Sequence, residues 1–187
     1  AGRYHFDFTM AFDREVPLLP VFVWFYILAF PFWAVGYLLA ARRGKDMFYR
    51  FVATDLTIHF ICFICFILIP TTNIRPEIPG NTLSEKILAL VYSLDGGNSP
   101  SNLFPSIHCY VSWMCWKGVE GSEKVPKWYQ RFSLVFAILI IISTQVLKQH
   151  YIVDAAAALL LVEFFWRFYQ KGQRHKWVVH VFAHKKK

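Results

Sequence analysis

The sequence predicts an all-α protein, a bundle of membrane-spanning helices forming one domain. Three observations carry this. First, 56% of the 187 residues are hydrophobic and only 17% are charged, where a soluble domain carries about a quarter charged. Second, four apolar stretches reach the roughly 20 residues that cross a bilayer, and a fifth is shorter and more polar. Third, no Gly/Ser linker, repeat or low-complexity run divides the chain, so residues 1–187 read as a single membrane-embedded domain.

The elements follow in order. Residues 1–15 are mixed polar and aromatic. The first span is expected at about 16–41, with Pro20 and Pro31 as kinks because proline removes a helix N–H. A basic turn holding Arg42, Arg43, Lys45 and Arg50 leads to the second span, about 51–70. Within the more polar residues 71–102, Leu83 to Leu94 has the pattern of a short amphipathic helix, and Gly96-Gly97-Asn98-Ser99-Pro100 breaks it. The third span is expected at about 105–118, the fourth at 132–147 and the fifth at 150–168. From Gln170 to Lys187 the chain is basic with interleaved Trp and Phe, which suits an anionic membrane surface. A merely solvated end is the plainer alternative.

Charge sets the orientation. The 42–50 turn has four basic residues, the 117–131 loop four and the stretch from Arg167 seven, which is fifteen of the twenty Lys and Arg. With five spans all fifteen fall on one side, and the positive-inside rule makes that side, with the C-terminus, cytoplasmic. The net charge of +8 is explained by this bias and calls for no nucleic-acid partner. The N-terminus is then external, yet residues 1–15 contain no signal-like segment and the chain starts at Ala1. A further span upstream, six in the full-length protein, is the expectation. Cys62, Cys65, Cys109 and Cys115 all lie in apolar segments. The C-x-x-C at 62–65 lacks the second pair and polar loop of a zinc or redox site, so all four read as small buried hydrophobes.

This topology gathers the unusual residues at the outer face. His108 and His150 each stand at the mouth of an apolar segment, with Arg75 and Lys148 on the same side. Asp154 is four residues after His150. On a helix the carboxylate would lie one turn away on one face, where it could accept the Nδ1–H and leave Nε2 free as nucleophile or base. Ser106, after Pro105, is placed as an N-cap. Two helix N-termini, two cations and two histidines point to a phosphate group at the membrane interface.

Three segments resemble the motifs of the type 2 phosphatidic acid phosphatase superfamily, which includes membrane lipid phosphate phosphatases. Its first motif ends in Arg-Pro, matched by Arg75-Pro76; its second is Pro-Ser-x-His, matched by Pro105-Ser106-Ile107-His108; its third is Ser-Arg-x5-His-x3-Asp, matched at Ser143, His150 and Asp154. Two positions depart from it. Leu68 stands where the first motif opens with Lys, and Thr144 where the third has Arg. Lys148, four residues beyond Thr144, would sit one turn further along the same helical face and supply the missing cation. The run His150-Tyr151-Ile152-Val153-Asp154 also resembles the His-Tyr-x-x-Asp of sphingomyelin and inositol phosphorylceramide synthases. Those pass a phospho-head-group to an alcohol.

The resemblance implies hydrolysis of a lipid phosphomonoester or diphosphate, such as phosphatidic acid, phosphatidylglycerol phosphate or undecaprenyl diphosphate. His150 would attack phosphorus with Asp154 holding its tautomer. His108 would protonate the leaving group and then activate water. Arg75, Lys148 and Ser106 would bind the equatorial oxygens. This design requires neither metal nor cofactor. Two other readings compete. His108, His150 and Asp154 could form a two-histidine, one-carboxylate metal site, though Arg75 and Lys148 would repel a cation. A non-catalytic lipid carrier would need a polar path, for which Asp55, His59 and Glu163 are the candidates. Local pairing of Asp55 with His59 and of Glu163 with Arg167 accounts for them more simply.

Overall fold

The computed structural model describes residues 4–97 and 100–183. Asn98 and Ser99 of the expected break, and the last four residues of the basic tail, lie outside the described residues. Among the described residues, regular structure is helical, and β pairing is confined to the isolated bridges Phe6–Thr71 and Thr72–Ser101. The helices are α1 (Ala11–Glu15), a 3-10 turn (Pro20–Phe22), α2 (Val23–Ile27), α3 (Ala29–Ala41), α4 (Lys45–Leu68), α5 (Leu83–Leu94), α6 (Ile107–Val119), α7 (Lys127–Val146), α8 (Ile152–Gln170) and α9 (Lys176–Ala183).

Three helical stretches are long and apolar enough to cross a membrane: Pro20–Ala41, α4 and α7. The first is interrupted at Leu28, because Pro31 has no N–H to offer the Ile27 carbonyl. α4 starts at Lys45, six residues before the expected Phe51. Arg50 pairs with Asp46 at 2.7 Å one turn back and donates to the Tyr169 and Gln170 carbonyls at the end of α8. α6 and α8, the other expected spans, fall short in different ways. α6 has 13 residues, about 20 Å of rise against roughly 30 Å of hydrocarbon. α8 has 19 residues but carries Asp154, Glu163 and Arg167.

α6 is the hub, packing on α3, α4, α7 and α8. Cys109, Met114, Cys115 and Val119 on it are fully buried. Close approach depends on two glycines. A Cβ at Gly36 of α3 would fall 2.6 Å from Cys115 Sγ, and one at Gly118 of α6 would fall 2.9 Å from the Phe51 ring. Lipid tails are as apolar as these side chains, so interdigitation rather than water exclusion holds such helices together.

Polar groups inside the bundle are matched mainly between helices, not by the expected pairing one turn away. Tyr37 donates to Asp55 at 2.6 Å, Trp33 to Ser112 at 2.9 Å and Trp113 to Glu163 at 2.9 Å. Asp55 stands 3.6 Å from His59, so its short bond is the one to Tyr37. Glu163 meets Arg167 at 3.4 Å and, more closely, Lys117 at 2.9 Å.

α5 has the limits its pattern gives, with Thr82 and Glu85 in a reciprocal capping box and Leu88 and Tyr92 buried. α9 is docked on α4. Val178 packs with Ala53 and Tyr169, and His175 Nε2 lies 2.8 Å from Asp46.

Candidate active site

Ser106 caps α6. Its extended backbone precedes the helix, and its Oγ accepts the Cys109 N–H at 3.3 Å. His108, in the first turn, enters an aromatic recess: its ring stacks on Tyr26 at 4.2 Å and meets Trp33 at 5.1 Å and Phe30 at 5.9 Å. Tyr26, Phe30 and Trp33 recur at helical spacing through the Leu28 interruption, so one face of α2 and α3 presents all three. The His150 ring lies 6.2 Å from that of His108.

His150 is delivered by the end of α7. Lys148 adopts the left-handed conformation with φ of 51°; its N–H donates to Gln145 O at 3.0 Å and the next N–H, of Gln149, to Thr144 O at 2.9 Å. These two bonds define a Schellman cap. The His150 N–H adds a third bond, to Thr144 O at 3.1 Å. The chain thus folds back on its own helix and buries Gln149 and His150.

The expectation that His150 and Asp154 share a helix is corrected here. α8 begins at Ile152, beyond His150. Asp154 Oδ2 accepts the Tyr151 N–H at 2.9 Å as a helix cap and stands 3.6 Å from His150 Nδ1. That spacing allows an ion pair and exceeds a hydrogen bond. Ser106 N–H donates to Asp154 O at 3.3 Å, tying the two histidine segments together.

Arg75 is buried. It donates to the Asp95 carbonyl at 2.9 Å, the Gly97 carbonyl at 3.1 Å, the Asp95 carboxylate and Gln149 Oε1. Its guanidinium lies 4.7 Å over the Tyr92 ring. Tyr92 in turn donates to Leu147 O at 2.7 Å, and burial pushes its hydroxyl pKa up to about 12.

Lys148 is not brought to this group. The helical period that relates it to Thr144 ends with α7 at Val146, and the cap turns the side chain elsewhere. Its Nζ donates to Asp13 O at 2.6 Å and Val16 O at 2.5 Å. Partial burial lowers its pKa, opposed by the Asp13 carboxylate. Thr144 Oγ1 donates to Ile141 O at 2.7 Å, and Leu68 ends α4 with its side chain largely exposed. Of the expected cations, Arg75 alone is joined to the histidine segment.

Three polar residues at the site escape the sequence motifs. Gln149 couples Arg75 to His150. Asn73 Nδ2 donates to Lys148 O at 3.0 Å. Asp13, 2% exposed, accepts the Ile152 N–H at 3.0 Å on Oδ1 and the Met10 N–H at 2.8 Å on Oδ2, so the N-terminal segment secures the start of α8. The same segment is fixed at Leu19, whose N–H donates to Val146 O at 3.0 Å, and at Phe6, whose N–H donates to Pro70 O at 2.8 Å.

Among the described residues, Asn73 Oδ1, Arg75 Nε, His108 Nε2, Gln149 Nε2 and His150 Nδ1 are buried without a hydrogen-bond partner. Each such atom costs about 1–3 kcal/mol when unmatched. Their concentration around two histidines makes this the candidate site. Among the described residues, no three of His, Cys, Asp and Glu converge as metal ligands.

The family model described as PAP2 superfamily matches residues 3–167, which takes in every segment above. The chain belongs to the PAP2 superfamily. No curated protein and no solved structure matches it. PAP2 membership gives the chain a phosphatase-type chemistry on lipid phosphates in general, in line with the resemblance of its three motif segments. The three apolar helices, long enough to span a bilayer, suit a membrane protein.

Proposed function

We propose that this PAP2 protein is a multi-pass membrane phosphatase that hydrolyses the phosphomonoester or diphosphate of a lipid through a phosphohistidine, with its histidines at the outer face. One observation carries the reading: the His108 and His150 rings, from separate segments, lie 6.2 Å apart beside the Arg75–Gln149 pair. His150 Nε2 attacks phosphorus, and the N–P bond forms as the bond to the lipid oxygen breaks. His108 delivers the proton to that oxygen, then takes one from the water that cleaves the N–P bond. Asp154 faces the other side of the His150 ring and stabilises the imidazolium. Arg75 supplies positive charge near the phosphoryl oxygens, Ser106 caps α6 beside them, and no metal takes part. Cell-membrane localisation with the C-terminus cytoplasmic follows from the distribution of Lys and Arg.

The decisive experiment traps the intermediate. Purified protein in detergent, quenched in base during turnover of a labelled lipid phosphate, should carry acid-labile phosphate at His150, and His150→Ala should carry none. Activity should survive strong chelators and fall with vanadate, which mimics five-coordinate phosphorus. Chelator loss restored by one divalent ion would overturn the mechanism.

A head-group transferase is the second reading. It is favoured by the shortage of cations, since Lys148 points to the N-terminal segment and Leu68 and Thr144 occupy the other basic positions of the motifs. Adding an alcohol acceptor to the same assay separates the two: transfer exceeding phosphate release selects the transferase. A lipid carrier without chemistry would show neither product.

A further inference from the structure

A second site lies at the opposite end of α8. Leu160, Phe164 and Phe168 recur every four residues, and Glu163, Arg167 and Lys171 run beside them, so the helix carries an apolar rail next to a charged one. The chain leaves the helix after Gln170 and turns at Gly172, with φ of 64°, a conformation open to glycine at little cost. The turn brings Arg174 back: its guanidinium lies 4.3 Å over the Phe168 ring, and its NH1 approaches Phe168 O at 3.5 Å. Arg167, Lys171 and Arg174 thereby converge on one cavity of ≈ 450 Å³ walled by Leu160, Phe164 and Phe168.

The charge in this cavity is unbalanced. Its one carboxylate, Glu163, is shared among Lys117 at 2.9 Å, Trp113 at 2.9 Å and Arg167 at 3.4 Å. Leu160 and Phe164 also line an adjoining apolar groove, which runs on to Ile61, Cys65, Phe104 and Pro105. A basic mouth therefore opens onto a continuous hydrocarbon surface. We propose that this groove binds an anionic phospholipid, its phosphate among Arg167, Lys171 and Arg174 and an acyl chain along Phe168, Phe164 and Leu160. Basic pockets at helix ends select such head groups by charge, and the apolar wall selects a lipid over a free phosphate. Arg167 lies 15 residues along α8 from Ile152, about 22 Å of rise, so a phosphate held here does not reach His150. The proposal is independent of what the histidines do.

The test uses the full chain reconstituted in phosphatidylcholine vesicles with phosphatidylglycerol or phosphatidylcholine spin-labelled on the acyl chain. The motion-restricted fraction should be roughly three- to tenfold greater for phosphatidylglycerol. Arg167→Gln with Arg174→Gln should bring it to the phosphatidylcholine level. Lys124→Gln with Lys127→Gln removes the same charge from another loop and should leave it unchanged. Leu160→Trp fills the groove while keeping every charge, and should also abolish the preference. Excess glycerol phosphate should not displace the lipid. No preference in the wild type, equal loss in the Lys124/Lys127 variant, full preference in Leu160→Trp or displacement by glycerol phosphate would each overturn the site.

Discussion

Arg75 and Gln149, 74 residues apart in sequence, form a buried hydrogen bond in which the Gln149 oxygen accepts and its amide nitrogen stays unmatched. The guanidinium is thus anchored to the residue that precedes the proposed nucleophile. Gln149→Leu should cost about 1–3 kcal/mol of transition-state stabilisation, or roughly five- to 150-fold in kcat/KM, because it strands a buried donor and loses a second. Gln149→Glu should be worse, since it sets a negative charge against the incoming phosphate. Near wild-type kinetics in both variants would remove Gln149 from the site.

Lys148 separates packing from chemistry. Lys148→Gly removes the ammonium but suits the left-handed backbone, whereas Lys148→Ala removes it and keeps the strain, about 1 kcal/mol. The glycine variant should melt above the alanine variant, with both within about threefold of wild type in kcat/KM once folded. A tenfold loss shared by both would show that the lysine contacts phosphate after all.

Asp154 has two tasks that substitution can divide. Asp154→Asn retains an oxygen for the Tyr151 N–H, so thermal stability should change little. Asp154→Ala should lose about 1 kcal/mol with the cap. Both should lose at least about a hundredfold in kcat, because neither stabilises the His150 imidazolium. A rate loss that tracked stability would reduce Asp154 to a cap.

Orientation is open to direct labelling. Ser101 and Glu123 are exposed and lie on opposite sides in the five-span topology. In a cysteine-free background of intact cells, Ser101→Cys should react with an impermeant maleimide and Glu123→Cys should not. The reverse pattern would move the histidines to the cytoplasmic face.

What could be read in advance was local. The limits of α5, the Ser106 cap and the three longest apolar helices follow from neighbours within a few residues, and the sequence displays those. Lys148 leaves the helical face shared with Thr144 because α7 ends at Val146: nothing in Gln145 to Gln149 marks a Schellman cap, whose usual glycine is here a lysine. Asp13 was illegible for another reason. Its partner Ile152 is 139 residues away, and no spacing rule reaches that far. Arg75 was found by its motif, yet its tie to Gln149 belongs to the fold.

The N-terminal segment has a practical bearing. Phe6, Asp13, Val16 and Leu19 are fastened to the loop at Pro70–Thr72, the end of α7 at Val146, the Lys148 turn and the start of α8 at Ile152. Trimming those residues, or a protease nick among them, would loosen the segments that carry the proposed site while leaving the hub around α6 untouched. Such a protein would remain helical and extractable in detergent yet turn over poorly. An expression design that preserves residues 4–19 and places its affinity handle beyond α9 avoids mistaking that damage for an inactive enzyme.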